Sequence, residues 1–146
     1  MHGVNKNLTF DKAYAFFNAI AEQESGGNYT VLGAPVYSST HKGGRAIGKY
    51  QIMPINWLNW SNGEPPTARN QDIVAFKQNL KNLSKWMNQG NSYEEAVQLA
   101  SVNWYGNNGK ALRSIADISS RGDSTLGYSP KQYSQSLWEK TRQRLG

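Results

Sequence analysis

Five apolar residues, Ile73, Phe76, Leu80, Leu83 and Met87, recur at steps of three and four along the middle of this chain. Such steps return to one side of an α-helix, so the spacing predicts an amphipathic helix over residues 69–88. Lys77, Lys81 and Lys85 fall at steps of four and form its solvated face. A helix with one apolar stripe must bury it against other elements, and the rest of the chain supplies mostly helices. Residues 11–24 read as one, with Asp11 as N-cap and Ala13, Phe17 and Ile20 on a shared face; Ser25-Gly26-Gly27-Asn28 stops it. Ser92-Tyr93-Glu94-Glu95 is a capping-box wording that opens a helix over 92–104. Gly106 to Gly109 reads as a turn, followed by a short helix near 110–118. Ser129-Pro130-Lys131-Gln132 joins a cap, a first-turn Pro and a Gln three residues on, and starts a last helix over 129–144.

Between the first and second of these helices the pattern changes. Residues 28–32 and 46–52 carry β-branched and aromatic side chains around a stretch rich in Gly, Ser and Thr, which predicts a small irregular sheet of two or three strands. Residues 54–69 read mostly as loop, broken by Pro65-Pro66. With 146 residues and no repeat, the expectation is one domain over 1–146, of the α+β class and mainly α.

Composition removes several functions. The chain has no cysteine, which excludes a disulfide framework and a thiolate metal site. His2 and His41 are its only histidines, so no metal site is expected. No Walker-type loop and no Ser-His-Asp wording stand out, and no cofactor is expected. The net charge of +6 favours polyanionic partners. The basic residues are spread rather than gathered in a stripe, which argues against nucleic acid. No apolar signal core follows Met1, and nothing approaches membrane-spanning length, so neither a signal peptide nor membrane insertion is expected. Five Trp and eight Tyr against four Phe favour rings that pack and also stack on sugars.

Glu24 extends the Ala13–Phe17–Ile20 stripe at the helix end. Burial and the negative end of the helix dipole both disfavour its charged form, which predicts a carboxyl that holds its proton, as a glycosidase general acid must. Periodicity alone also allows an exposed helix-end Glu.

The words around Glu24 resemble a known family. Glu24-Ser25-Gly26-Gly27-Asn28-Tyr29 resembles the Glu-Ser motif of the soluble lytic transglycosylases, in which that Glu is the sole catalytic acid and base. Gly48-Lys49-Tyr50-Gln51-Ile52-Met53-Pro54 is similar to that family's second motif, Leu99-Ala100-Ser101-Val102-Asn103 to its third, and Tyr133 to the Tyr of its fourth. Gly48-Lys49-Tyr50-Gln51 and the later Gln71-Asp72-Ile73-Val74-Ala75 also resemble wording in phage lysozymes of the transglycosylase kind. Two positions depart: Tyr50 stands where the cellular enzymes have Met, and Gly106 lies one residue late after Asn103.

The resemblance implies a lysozyme-like fold and peptidoglycan glycan strands as substrate. It also implies action on the bacterial cell wall in a phage virion or tail, beside other tail or virion proteins. It makes Glu24 catalytic and Ser25, Tyr50, Gln51, Met53, Asn103, Tyr105 and Tyr133 substrate-binding, with Asn103 and Tyr105 as alternatives for facing the sugar. Gln51, with one acceptor and two donors, suits the N-acetyl and hydroxyl groups of an amino sugar, or else ties loop backbone together. Tyr133 is expected to hold Glu24 in place or to serve as a core aromatic. Tyr50, Met53, Trp104 and Tyr105 are expected to wall a groove or simply to pack.

A hydrolysing glycosidase usually needs two carboxyl groups roughly 5–9.5 Å apart. Of ten acidic residues, Glu64, Asp72, Asp117 and Asp123 remain as partners for Glu24, and none carries a motif. Asp72 reads as a first-turn residue favoured by the helix dipole. The lack of a second marked acid favours a transglycosylase, which leaves a 1,6-anhydro-muramoyl end. An N-acetylmuramidase of the same fold and a non-catalytic wall-binding tail module are the alternatives.

Overall fold

The computed structural model describes residues 4–105, 113–120, 122 and 128–146. Its elements, in chain order, are α1 (Phe10–Ser25), β1 (Leu32–Val36), β2 (Gly44–Ile47), α2 (Pro54–Ser61), α3 (Ala68–Asn88), α4 (Tyr93–Tyr105), α5 (Ile115–Ser119) and α6 (Pro130–Leu145). The protein is mainly helical with a small two-stranded antiparallel sheet. Among the described residues no helix is long and apolar enough to cross a membrane. The chain divides into two compact units, Ile20–Gln78 and Met1–Ala19 with Asn79–Gly146.

In the unit of residues 20–78, β1 and β2 pair Leu32 with Ile47, Pro35 with Arg45 and Val36 with Gly44, with a shift in register between Leu32 and Pro35. The expected strand over 46–52 ends early at Ile47. Gly48 (φ 71°) and Gln51 (φ 51°) turn the backbone, and Ile47 and Ile52 exchange hydrogen bonds of 2.8 and 3.1 Å across that turn. The expected strand at 28–32 is likewise replaced by β1, which begins at Leu32.

Residues 54–61, expected as loop, form α2. Pro54 sits in its first turn, where a missing N–H costs nothing. Left-handed Asn62 (φ 57°) ends it and donates its N–H to the Leu58 carbonyl. Trp57 is buried and its Nε1 donates to the Glu64 carbonyl at 2.7 Å, fixing the loop that follows.

In the other unit, α4 is buried along Ala96, Val97 and Leu99 to Val102, and it packs against α5 and α6. On α6 the buried residues Tyr133, Leu137 and Thr141 recur at steps of four. Both expected capping boxes are present. Ser92 and Glu95 exchange bonds of 2.8 and 3.2 Å, and Ser129 and Gln132 do so at 3.0 and 3.1 Å. At the start of α1 the cap is Thr9, not Asp11: its hydroxyl accepts from the Lys12 N–H at 3.3 Å, and Asp11 lies in the first turn. The expected turn over Gly106 to Gly109 and the start of the helix near 110 lie outside the described residues.

On α3 the buried face is rotated from the expected stripe. Ile73 is exposed, while Gln71, Val74, Ala75, Asn79, Leu83 and Trp86 are buried. Lys77, Lys81 and Lys85 are exposed, as expected.

Candidate active site

The unit of residues 20–78 brings together Glu24, Ser25, Tyr50, Gln51 and Met53. Glu24 is the penultimate residue of α1 and is half-buried. The helix then breaks: Gly26 and Gly27 have φ of 66° and 93°, and their N–H groups return to the Glu22 and Ala21 carbonyls. Ser25 closes this end. Its hydroxyl accepts from the N–H groups of Gly27 and Asn28 at 3.1 and 3.0 Å and donates to the Lys49 carbonyl at 2.7 Å. One side chain thus satisfies orphan donors past the helix and ties the residue next to Glu24 to the Gly48–Gln51 turn.

That turn is built on close approach. A Cβ on Gly48 would lie 2.1 Å from Gln71 Oε1 and 2.8 Å from the Tyr29 carbonyl oxygen, so only glycine fits. The room is filled by Gln71, a buried α3 residue. Its Oε1 accepts from the Lys49 N–H at 3.0 Å, and its Nε2 donates to the carbonyls of Tyr29 and Pro66 at 3.1 and 2.8 Å. All three bonds are to backbone, which explains a polar side chain at 4% exposure.

Asp72, the next residue, gathers the side chains. Tyr29 donates its hydroxyl to one carboxylate oxygen at 2.7 Å, Tyr50 donates to the other, and the Lys49 ammonium lies 3.5 Å away. The Lys49 Nζ also donates to the Tyr29 hydroxyl at 3.1 Å and stands 4.6 Å from the Tyr29 ring centre and 5.5 Å from that of Tyr50. Burial pulls the ammonium pKa down, but the Tyr29 hydrogen bond and the Asp72 charge outweigh this and leave it above the usual lysine value. The expectation that the helix dipole accounts for Asp72 is corrected: α3 begins at Ala68, which puts Asp72 beyond the first turn, and its partners are two phenols and an ammonium.

Tyr50 is 1% exposed, so it enters the site through its hydroxyl rather than as a ring face. Gln51 is half-buried in the left-handed region, an uncommon conformation for a residue with a Cβ. Its Nε2 donates to the carbonyls of Gly48 at 2.9 Å and Val31 at 3.3 Å. These bonds fix the amide's orientation and leave Oε1 with no hydrogen bond from the described residues, 2.7 Å from where a Cβ on Gly33 would stand. Met53 is half-buried at the N-cap of α2 and accepts from the Trp57 N–H at 2.8 Å.

The remaining candidates belong to the other unit. Asn103 accepts from Trp86 Nε1 at 2.8 Å through Oδ1. Tyr105, 39% exposed, stacks on buried Tyr133 with ring centres 4.3 Å apart, and its hydroxyl donates to the Tyr128 carbonyl at 2.6 Å. Tyr128 meets Tyr133 edge-on at 6.1 Å.

Three residues of this cluster escape the sequence reading: Tyr29, Lys49 and Gln71. The one signal for them is their place within the Glu24–Tyr29, Gly48–Gln51 and Gln71–Ala75 words. Among the described residues no three His, Asp or Glu cluster as metal ligands do. The chain matches no family model, no curated protein and no solved structure.

Proposed function

We propose that this protein is a peptidoglycan lytic transglycosylase with a lysozyme-like fold, and that Glu24 is its single acid and base. The observation that carries the reading is the state of Asp72. It is the acid that the Gly48–Gln51 turn draws in, and both its oxygens are occupied by Tyr50 and Tyr29, with Lys49 beside them. A carboxylate so engaged is committed to fixing Tyr29, Tyr50 and Lys49 in place, which suits a structural acid better than one that activates water. Glu64 is exposed in the loop after α2, Asp117 accepts from the Arg113 N–H at 2.9 Å, and Asp123 lies outside the described residues. That distribution favours one acid acting twice over a hydrolytic pair.

In the proposed reaction Glu24 protonates the glycosidic oxygen between N-acetylmuramic acid and N-acetylglucosamine. As carboxylate it then takes the proton of the muramoyl 6-hydroxyl, whose oxygen closes onto C1 to give the 1,6-anhydro end. The free Oε1 of Gln51 accepts from a substrate N–H or hydroxyl, and its orientation is set before substrate arrives. On this reading the substrate lies in the bacterial wall, and virion or tail proteins are the partners that deliver the enzyme to it.

Mass spectrometry of digested peptidoglycan tests the proposal. Wild-type protein releases anhydromuropeptides and Glu24→Gln releases none. Products with reducing muramic acid ends make the protein a muramidase instead. A folded wild type that binds the wall and releases nothing makes it a binding module.

A further inference from the structure

We infer that Asp72 is a positioning residue for Glu24 and Gln51, acting through Tyr29, Lys49 and Tyr50; the inference rests on the transglycosylase reading above. Lys49 is the junction. Its N–H is held by Gln71, its carbonyl by the Ser25 hydroxyl and its ammonium by Tyr29 and Asp72. The residue beside Glu24 is therefore tied to α3 through a single residue, Lys49. Tyr50, on the other side of Lys49, is pinned to the same carboxylate. Gln51 follows it at φ 51°, a conformation that persists only where the surroundings impose it. Asp72 is where those constraints meet, and it reaches both words without touching the reacting atoms itself.

The network is more than a packing device, because of what it leaves unfilled. Gln71 directs its side-chain bonds to backbone, and the Tyr29 and Tyr50 hydroxyls donate to Asp72. Gln51, at the end of the chain of contacts, keeps an acceptor open. A brace serving stability alone has no need to hold a Gln in the left-handed region with its side-chain oxygen turned away from every described donor.

The test compares Asp72→Asn with wild type and with Ser114→Ala, which removes the cap of α5 in the other unit and serves as the control for general destabilisation. Asparagine keeps the shape and one acceptor but loses the charge that faces Lys49. Anhydromuropeptide release is expected to fall about tenfold in kcat, as a misplaced acid implies. KM is expected to change less, since the Gln51 amide, though loosened, keeps the Gly48 and Val31 carbonyls as its acceptors. Tyr50→Phe loses one of the two phenol bonds and should fall between. Ser114→Ala should leave kcat unchanged.

NMR hydrogen exchange supplies a readout independent of turnover. The Lys49 N–H and the Gln51 side-chain amide should exchange about tenfold faster in Asp72→Asn. Unchanged exchange overturns the inference, and so does faster exchange with kcat intact, which would make Asp72 a fold brace only. A wild type that releases nothing refutes the functional reading separately, and the exchange measurement then decides alone whether Asp72 holds these groups.

Discussion

Gly48→Ala separates two costs that a single glycine carries. An alanine held in the left-handed region costs roughly 1–2 kcal/mol. At Gly48 the added methyl would also sit 2.1 Å from Gln71 Oε1 and 2.7 Å from its Cδ, so the amide must leave. Its departure strips partners from the Lys49 N–H and from the carbonyls of Tyr29 and Pro66. A buried polar group left without a partner costs ~1–3 kcal/mol, so the total is about 2–5 kcal/mol. Gly26→Ala is the matched control: its φ is 66°, and nothing lies within 4 Å of the added carbon. It should cost only the conformational part, about 1–2 kcal/mol. Urea unfolding followed by circular dichroism measures both, and in thermal scans the gap should appear as ~5–10 °C. A double-mutant cycle with Gln71→Ala should recover part of the Gly48→Ala loss, because the clashing amide is gone. Equal losses at Gly48 and Gly26, or full additivity with Gln71→Ala, would refute the close-approach argument.

Two further outcomes follow from other parts of the chain. Ser129→Ala should lower stability by about 1 kcal/mol in urea unfolding, since it removes one arm of the capping box at α6, while Gln132→Ala should cost less. Alkaline pH should destabilise the protein through Tyr93, whose hydroxyl donates to the Lys12 carbonyl at 2.7 Å and whose pKa burial raises above the usual tyrosine value of 10.0. A raised folded pKa means stability that is complete below pH 10.0 and lost as pH climbs from there towards the folded value. Lys49 acts in the same direction from its own raised value, so Tyr93→Phe should flatten the alkaline fall in urea midpoint without abolishing it. An unchanged pH slope in Tyr93→Phe would remove Tyr93 from the account.

The helix starts at Ser92 and Ser129 are legible because a capping box is complete within four residues. The same locality fails for α2. Eight residues are too few for periodicity to outweigh Pro65-Pro66 nearby, although Pro54 and Asn62-Gly63 bracket the helix. It fails for the sheet as well. β1 is Leu-Gly-Ala-Pro-Val and mostly exposed, with no alternation to read, so its bounds come from pairing with β2. On α3 the stripe points the wrong way at its start because polar Gln71 and Asn79 take buried places that a hydrophobic pattern cannot assign.

The site divides along the same line. Glu24 was marked by its place at a helix end before Ser-Gly-Gly, a local feature. Asp72 is legible only as a spare acid near a helix start, because its partners Tyr29 and Tyr50 stand 43 and 22 residues away from it. The Gly48-Lys49-Tyr50-Gln51 word shows why a motif and a role need separate arguments. Gly48 is required by the close approach of Gln71, Lys49 by the peptide and ammonium contacts it makes, and Tyr50 by a buried hydroxyl on Asp72. Three of its four residues therefore have structural reasons for their identity. Only Gln51 presents a group with work left to do, and it does so from a backbone conformation that its neighbours impose. Matching that word in another chain would thus argue first for this turn and for an acid placed like Asp72. Catalysis would have to be argued from a carboxyl held where Glu24 is held, next to the serine that reads the Lys49 carbonyl.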